Sequence, residues 1–313
     1  MTHPPATVRR GGRVLVLLAL GGLVVAALQR MDLGRAATQL AGVRAEWLGL
    51  AIACYAAILP LWAWQWTILS PPSPRPRTRQ MLGVIALTSA VLNTTPMLVG
   101  EATAVVLLVA RAGLDRAAAL SVLAMDQLLV GVAKVCLLAV AATVAPLPAW
   151  MTRAILALLT TILLLGSTLG LAAWRHADVA GVVARVFPAR LAAAVGAFAR
   201  ALGPLRSPAR GLPALGLALL KKAVEVVAIV CVQRAFGLSL PVSAAIVVLA
   251  VLNLATLLPI VPGNVGVFEA AVVLALTRFG IVPEQALGVA VVQHLCYFIA
   301  LALPGLMAAA RAR

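Results

Sequence analysis

Two stretches of this chain place proline, glycine, asparagine and a carboxylate inside otherwise apolar sequence. The later one reads Pro259-Ile260-Val261-Pro262-Gly263-Asn264-Val265-Gly266-Val267-Phe268-Glu269, and the earlier one Leu92-Asn93-Thr94-Thr95-Pro96-Met97-Leu98-Val99-Gly100-Glu101. Proline removes a backbone donor and glycine loosens a helix, so neither stretch continues one straight helix. In hydrocarbon, broken backbone survives only where protein buries it or where it lines a watery cavity. Glu101 and Glu269 each follow a break, and the N-terminal end of the half-helix they begin favours negative charge. Such a carboxylate either caps the broken backbone or handles a proton or a lipid headgroup. Ionisable groups at membrane depth are rare and face interior paths. Two interrupted segments in matching halves of a chain point to a transport site.

Further polar groups stand in apolar runs. Asp126, Gln127 and Lys134 lie within 117–144, with Gln127 and Lys134 seven residues apart on one helical face. They read either as an internal polar contact or as a cation offered to a phosphate. Lys221, Lys222 and Glu225 sit at i,i+3 and i,i+4 spacing. They read either as snorkelling side chains with a helical ion pair or as a cationic wall for anionic lipid. His294 is the only histidine deep in apolar sequence; His3 and His176 lie in segments flanking the apolar runs and suggest no site. The candidate translocation residues are therefore Asn93, Pro96, Gly100, Glu101, Asp126, Lys134, Lys222, Pro259, Pro262, Gly263, Gly266, Glu269 and His294. No HExxH, paired CxxC, GxSxG or P-loop motif occurs, so no catalytic residue, metal or cofactor is assigned. Cys54, Cys136, Cys231 and Cys296 lie within apolar spans and read as small buried hydrophobes. Trp47 and Trp66 fit interfacial anchors near the ends of a run that also holds Trp62 and Trp64.

The elements that position these groups are membrane spans. With 63% hydrophobic and 11% charged residues, a soluble globular chain is excluded. Full spans are expected near 14–29, 47–69, 117–144, 152–173, 212–233 and 285–310, each long enough for about 30 Å of hydrocarbon. Arg9, Arg10 and Arg13 before the first run resemble a signal peptide, but no small-x-small cleavage site follows, so it reads as a retained span. The net charge of +16 sits mostly in short loops, which fits orientation and anionic lipid rather than nucleic acid.

Charge parity then favours one course for the broken stretches over single crossings by 81–110 and 242–277, which would also leave both termini inside. If 81–110 crossed once, the arginine-rich segment 174–211 would lie outside, against the positive-inside rule. If it dips in and returns, residues 1–13, the stiff Pro71–Arg79 turn, 174–211 and both termini all lie in the cytoplasm. The same parity makes 242–277 dip from the other side. The expected fold is an all-α polytopic membrane protein: six full transmembrane helices plus two broken re-entrant helix pairs related as an inverted repeat, in one integral domain over 1–313. The repeat cores are 81–144 and 242–310. Val91-Leu92-Asn93 echoes Val251-Leu252-Asn253, Glu101 echoes Glu269, Gly113 echoes Gly280, and Asp126-Gln127-Leu128 falls on Gln293-His294-Leu295.

An early N-x-x-P…G-E element and a late P-x-x-P-G-x-x-G-x-x-E element together resemble the flippase-like membrane region of lysylphosphatidylglycerol synthases, also called UPF0104. Asn93, Pro96, Gly100 and Glu101 carry the first; Pro259, Pro262, Gly263, Gly266 and Glu269 carry the second. Val99-Gly100-Glu101 and Met125-Asp126 look like the stand-alone, hopanoid-associated branch. The resemblance spans roughly residues 10–310. It implies an all-helical fold in the cell (inner) membrane, a phospholipid or isoprenoid-type lipid as cargo, and lipid-synthesis enzymes as partners. It does not imply lysyl transfer, because that step belongs to an additional soluble domain. Arginines that the family pattern has after the early Glu and in the last span are replaced here by Ala102–Val105 and by Gln293-His294. The readings that remain are a lipid translocator, an intramembrane lipid-modifying transferase, and a non-catalytic subunit of a lipid-synthesis complex. The absence of a soluble catalytic domain favours transport over enzymatic work.

Overall fold

The structure is a computed structural model and describes residues 42–72, 76–95, 99–144, 149–175, 185, 188–257 and 261–311. The expected first span 14–29, the cytoplasmic 1–13, and the site candidates Pro96 and Pro259 lie outside the described residues. All regular structure among the described residues is helical. In chain order the helices are α1 (Ala45–Leu69), α2 (Thr78–Leu92), α3 (Val99–Ala110), α4 (Arg116–Val144), α5 (Ala149–Trp174), α6 (Ala189–Ala201), α7 (Pro208–Ala235), α8 (Val242–Ala255), α9 (Val267–Thr277), α10 (Pro283–Leu301) and α11 (Leu303–Arg311). Short 3₁₀ turns occupy Gly203–Arg206 and Pro262–Asn264.

Among the described residues, four stretches are long and apolar enough to cross a membrane: Ala45–Leu69, Arg116–Val144, Met151–Trp174 and Pro283–Ala310. The last comprises α10 and α11, which meet at Ala302. Helix α7 is 28 residues long but carries Lys221, Lys222 and Glu225 near its middle. Much of α5 faces outward, with Leu156, Leu163, Leu164 and Leu171 each more than half exposed. In water such a surface would be an aggregation liability; in hydrocarbon it is a lipid-facing wall.

Among the described helices, the most extensive packing is between α1 and α7. They run antiparallel and are clasped at both ends by arginine. Arg44, just before α1, donates from Nη2 to Arg234 O at the end of α7 (2.9 Å). Arg210, in the first turn of α7, donates to Ile68 O (2.6 Å) and to Ser70 O at the end of α1. Each cation thus meets orphan carbonyls at a helix C-terminus, where the helix dipole favours positive charge. Arg210 therefore helps to hold the fold from within the basic segment 174–211, and much of the described part of that segment is helical.

Close packing elsewhere depends on small residues, as expected where lipid offers no hydrophobic drive between helices. Gly305 of α11 lies against Ala86 O and Ala90 of α2, and Gly131 of α4 against Ile162 of α5; a methyl group at either would collide. Two expectations are corrected by packing. Trp66 is fully buried rather than interfacial, while Trp64 is 54% exposed on the same helix. Residues 64 and 66 lie about 200° apart around a helix, so only one of them can face lipid. Cys231 and Cys296 are buried as expected, but Cys136 is exposed on the outer side of α4.

Both broken stretches fold as helix pairs. Helix α2 has 15 residues and α3 has 12, about 22 and 18 Å long, so neither alone covers the hydrocarbon thickness. Helices α8 and α9, with 14 and 11 residues, are equally short. The members of each pair pack against one another.

Candidate functional site

The breaks end their helices in the same way. After α2, Asn93 Nδ2 donates to Ser89 O (2.8 Å), Thr94 Oγ1 to Ala90 O (2.7 Å) and Thr95 Oγ1 to Val91 O (2.7 Å). After α8, Asn253 Nδ2 donates to Leu249 O (2.8 Å) and Thr256 Oγ1 to Leu252 O (2.7 Å). These side chains supply hydrogen bonds to carbonyls at the end of each helix, which hydrocarbon cannot do. The second break then turns through Gly263 (φ 63°), Asn264 (φ 54°) and Gly266 (φ 84°). This left-handed run explains why glycine recurs there. The two breaks touch: a Cβ on Gly263 would lie 3.0 Å from Asn93 O.

Around this meeting point lies a cavity of about 350 Å³. Its walls come from α1, α2, α3, α4, α7, α8, α9 and α10 and from the second break. Helix α4 contributes Asp126, Gln127 and Lys134; α7 contributes Lys221, Lys222 and Glu225. Glu101 enters from the first turn of α3 and His294 from α10. Three lysines and three carboxylates thus share one internal space.

Most of these charges are matched. Lys222 Nζ donates to both Glu225 oxygens (2.9 and 2.7 Å) and reaches Asn253 Oδ1 (3.3 Å), linking α7 to the end of α8. Lys221 Nζ stands 3.9 Å from Asp126 Oδ1 and 5.3 Å from the centre of the Trp62 ring. Trp62 Nε1 donates to Asp126 Oδ2 (3.3 Å). The lysines therefore point inward to partners on other helices instead of snorkelling to the membrane surface. Lys134 has no hydrogen bond or ion pair among the described residues. Glu101 Oε2 is buried and has no hydrogen-bond partner.

Glu269 sits differently. Gly266 N–H donates to Glu269 Oε2 (2.6 Å), capping α9, and His294 Nδ1 meets Glu269 Oε1 (2.6 Å). The imidazole stacks on Phe268, with ring centres 4.2 Å apart and 14° between planes. Glu269 lines a second, mainly apolar cavity of about 440 Å³ with Pro262, Val265, Val291, Leu295 and Phe298. Asn93, Gly263 and His294 line both cavities and form the partition between them. Val265 and Leu295 are more than half exposed, so the second cavity opens on the lipid-facing surface.

Of the residues proposed from sequence, Asn93, Glu101, Asp126, Lys134, Lys222, Gly263 and His294 line the charged cavity, and Pro262 and Glu269 the apolar one. Gly266 caps α9, and Gly100 packs on Leu92 without facing either cavity. Sequence reasoning missed Tyr55, Tyr297 and Asn253 as lining residues, and left Trp62, Lys221 and Glu225 off the candidate set. Tyr55 and Tyr297, the only two tyrosines in the chain, meet edge-on at 5.4 Å. A phenol in an apolar span is itself a signal, since its hydroxyl needs a polar neighbour. Asn253 was visible as the repeat partner of Asn93.

The family model for the lysylphosphatidylglycerol synthase TM region matches residues 13–305. No curated protein and no solved structure matches the chain.

Proposed function

The chain belongs to the lysylphosphatidylglycerol synthase TM region family, and on that premise we propose that it moves a lipid headgroup between the leaflets of the cell membrane. One observation carries the reading: six lysines and carboxylates from α3, α4 and α7 converge on a cavity where two helix breaks touch. Burying so much charge in a membrane protein is costly unless it serves a path. The apolar cavity beyond His294 gives lipid tails a place while the headgroup occupies the charged one.

In this reading α1, α4, α5, α7 and α10 with α11 are full spans, and the sixth expected span, 14–29, lies outside the described residues. The pairs α2–α3 and α8–α9 are re-entrant hairpins from opposite sides of the membrane and form an inverted repeat, with both termini cytoplasmic. Rocking of one repeat against the other opens the cavity to each side in turn. The cargo is a membrane phospholipid or isoprenoid-type lipid.

The test is leaflet exchange of a fluorescent phospholipid in reconstituted vesicles, read by a membrane-impermeant quencher. The protein should speed exchange well above protein-free vesicles, and Glu101→Gln combined with Lys134→Met should remove the gain. Exchange no faster than in empty vesicles overturns the reading. Lipids recovered with altered mass would replace it with a lipid-modifying enzyme.

A further inference from the structure

The charges left over inside the cavity specify what it binds. Lys222 is committed to Glu225 and Asn253, and Lys221 to Asp126 and Trp62. One cation, Lys134, and one carboxylate, Glu101, line the same cavity without a hydrogen-bonded counter-charge among the described residues. Asp126, only 2% exposed, is by contrast held by Lys221 and Trp62. Buried polar atoms such as Glu101 Oε2 are ordinarily satisfied, so their vacancy in a lined cavity marks a ligand position.

From this pairing we infer that the cavity takes a zwitterionic phospholipid headgroup, with its phosphate on Lys134 and its amine on Glu101. This rests on the lipid reading above and narrows it to one headgroup class. A lysine ammonium offers three donors to phosphate oxygens, and a carboxylate can only accept, as an ammonium requires. The charge balance selects against an anionic headgroup. Lysines and carboxylates are equal in number in the cavity, so a net-neutral ligand leaves it balanced. A phosphate without an amine would satisfy Lys134 and leave Glu101 as an unmatched buried charge. The ligand is a lipid rather than a soluble zwitterion because the apolar cavity lies directly beside the charged one, with Asn93, Gly263 and His294 as their shared wall. Val265, Val291, Leu295 and Phe298 there offer an acyl chain apolar contact, and the polar groups beside them are already engaged: Glu269 with His294 and Gly266, Asn93 with Ser89 and Thr94 with Ala90.

The experiment measures binding to the purified full chain in detergent by native mass spectrometry. The probes are dihexanoyl-phosphatidylethanolamine, dihexanoyl-phosphatidylglycerol and tail-free glycerophosphoethanolamine. The first should bind on the order of tenfold more tightly than either other probe, equivalent to about 1.4 kcal/mol. Glu101→Gln should bring the ratio of the two phospholipids close to one, whereas Lys134→Met should weaken both by similar factors. Equal binding of the two phospholipids by the unaltered protein overturns the zwitterion. Equal binding of glycerophosphoethanolamine overturns the lipid. A ratio unmoved in folded Glu101→Gln overturns the role of that carboxylate, and should that variant fail to fold, the unaltered protein's preference still decides. Binding is read without vesicles, so selective binding with no leaflet exchange would sink only the translocation reading. Exchange with no headgroup preference would sink only this one.

Discussion

The two helix breaks are built from the same parts and end in opposite electrostatic situations. Each starts with an asparagine whose amide bonds back four residues, and each puts a glutamate third in the next helix. At the second break the glutamate is held by a backbone N–H and an imidazole, and the asparagine carbonyl receives Lys222. At the first break Glu101 has a buried oxygen with no partner, and Asn93 bonds only within its own turn. The difference teaches that one break is a fixed, internally satisfied wall and the other faces the cavity with capacity in reserve. A shared sequence pattern thus yields one anchoring carboxylate and one with a buried oxygen left without a hydrogen bond.

Four substitutions break or sharpen that contrast. The largest effect belongs to Lys222→Met, which strands Glu225 and frees Asn253. Loss of one partner from a buried pair costs about 3–5 kcal/mol, so thermal melting in detergent should show a large drop. Glu269→Ala should follow, removing the cap on α9 and the partner of His294. Hydrogen bonds to charged groups are worth about 1.5–3 kcal/mol each, and the same melt should report it. An unchanged Tm would mean that the second break is not anchored as described.

Gly263→Ala forces a side chain into a left-handed residue against Asn93 O. Strain of this type costs roughly 1–3 kcal/mol, and the variant should also separate the breaks, seen as faster amide hydrogen exchange around Asn93. Glu101→Gln comes last for stability: it removes a buried charge with no hydrogen-bonded partner, so the Tm should hold or rise rather than fall. Leaflet exchange should nonetheless fall sharply. If Glu101→Gln destabilises as much as Glu269→Ala, the two breaks are equivalent and the contrast disappears.

Much of the scaffold was legible because membrane thickness imposes it. Expected spans at 47–69, 117–144 and 152–173 fall within three residues of α1, α4 and α5. An apolar run must be long enough to cross hydrocarbon, and its backbone must bond internally, so length and composition suffice. The breaks were equally legible, since proline and paired glycines cannot sit inside a helix without consequence. Trp66 was not: the sequence places it near a span's end, and helix rotation turns it inward while Trp64 faces out. Lys221 was not either, because its partners Asp126 and Trp62 lie on two other helices.

The sequence by itself determined that this chain is helical, lives in the membrane, belongs to its family, and interrupts two apolar segments before a glutamate. Those properties follow from hydropathy, proline and glycine chemistry and local spacing, which act over a few turns of backbone. Tertiary structure alone decided that Gly263 meets Asn93, that Lys221 and Lys222 turn toward carboxylates, and that Glu269 is satisfied while Glu101 is not. Pairing across helices depends on rotation and packing of whole helices, and in a low-dielectric interior that geometry sets which charges are balanced and which are not.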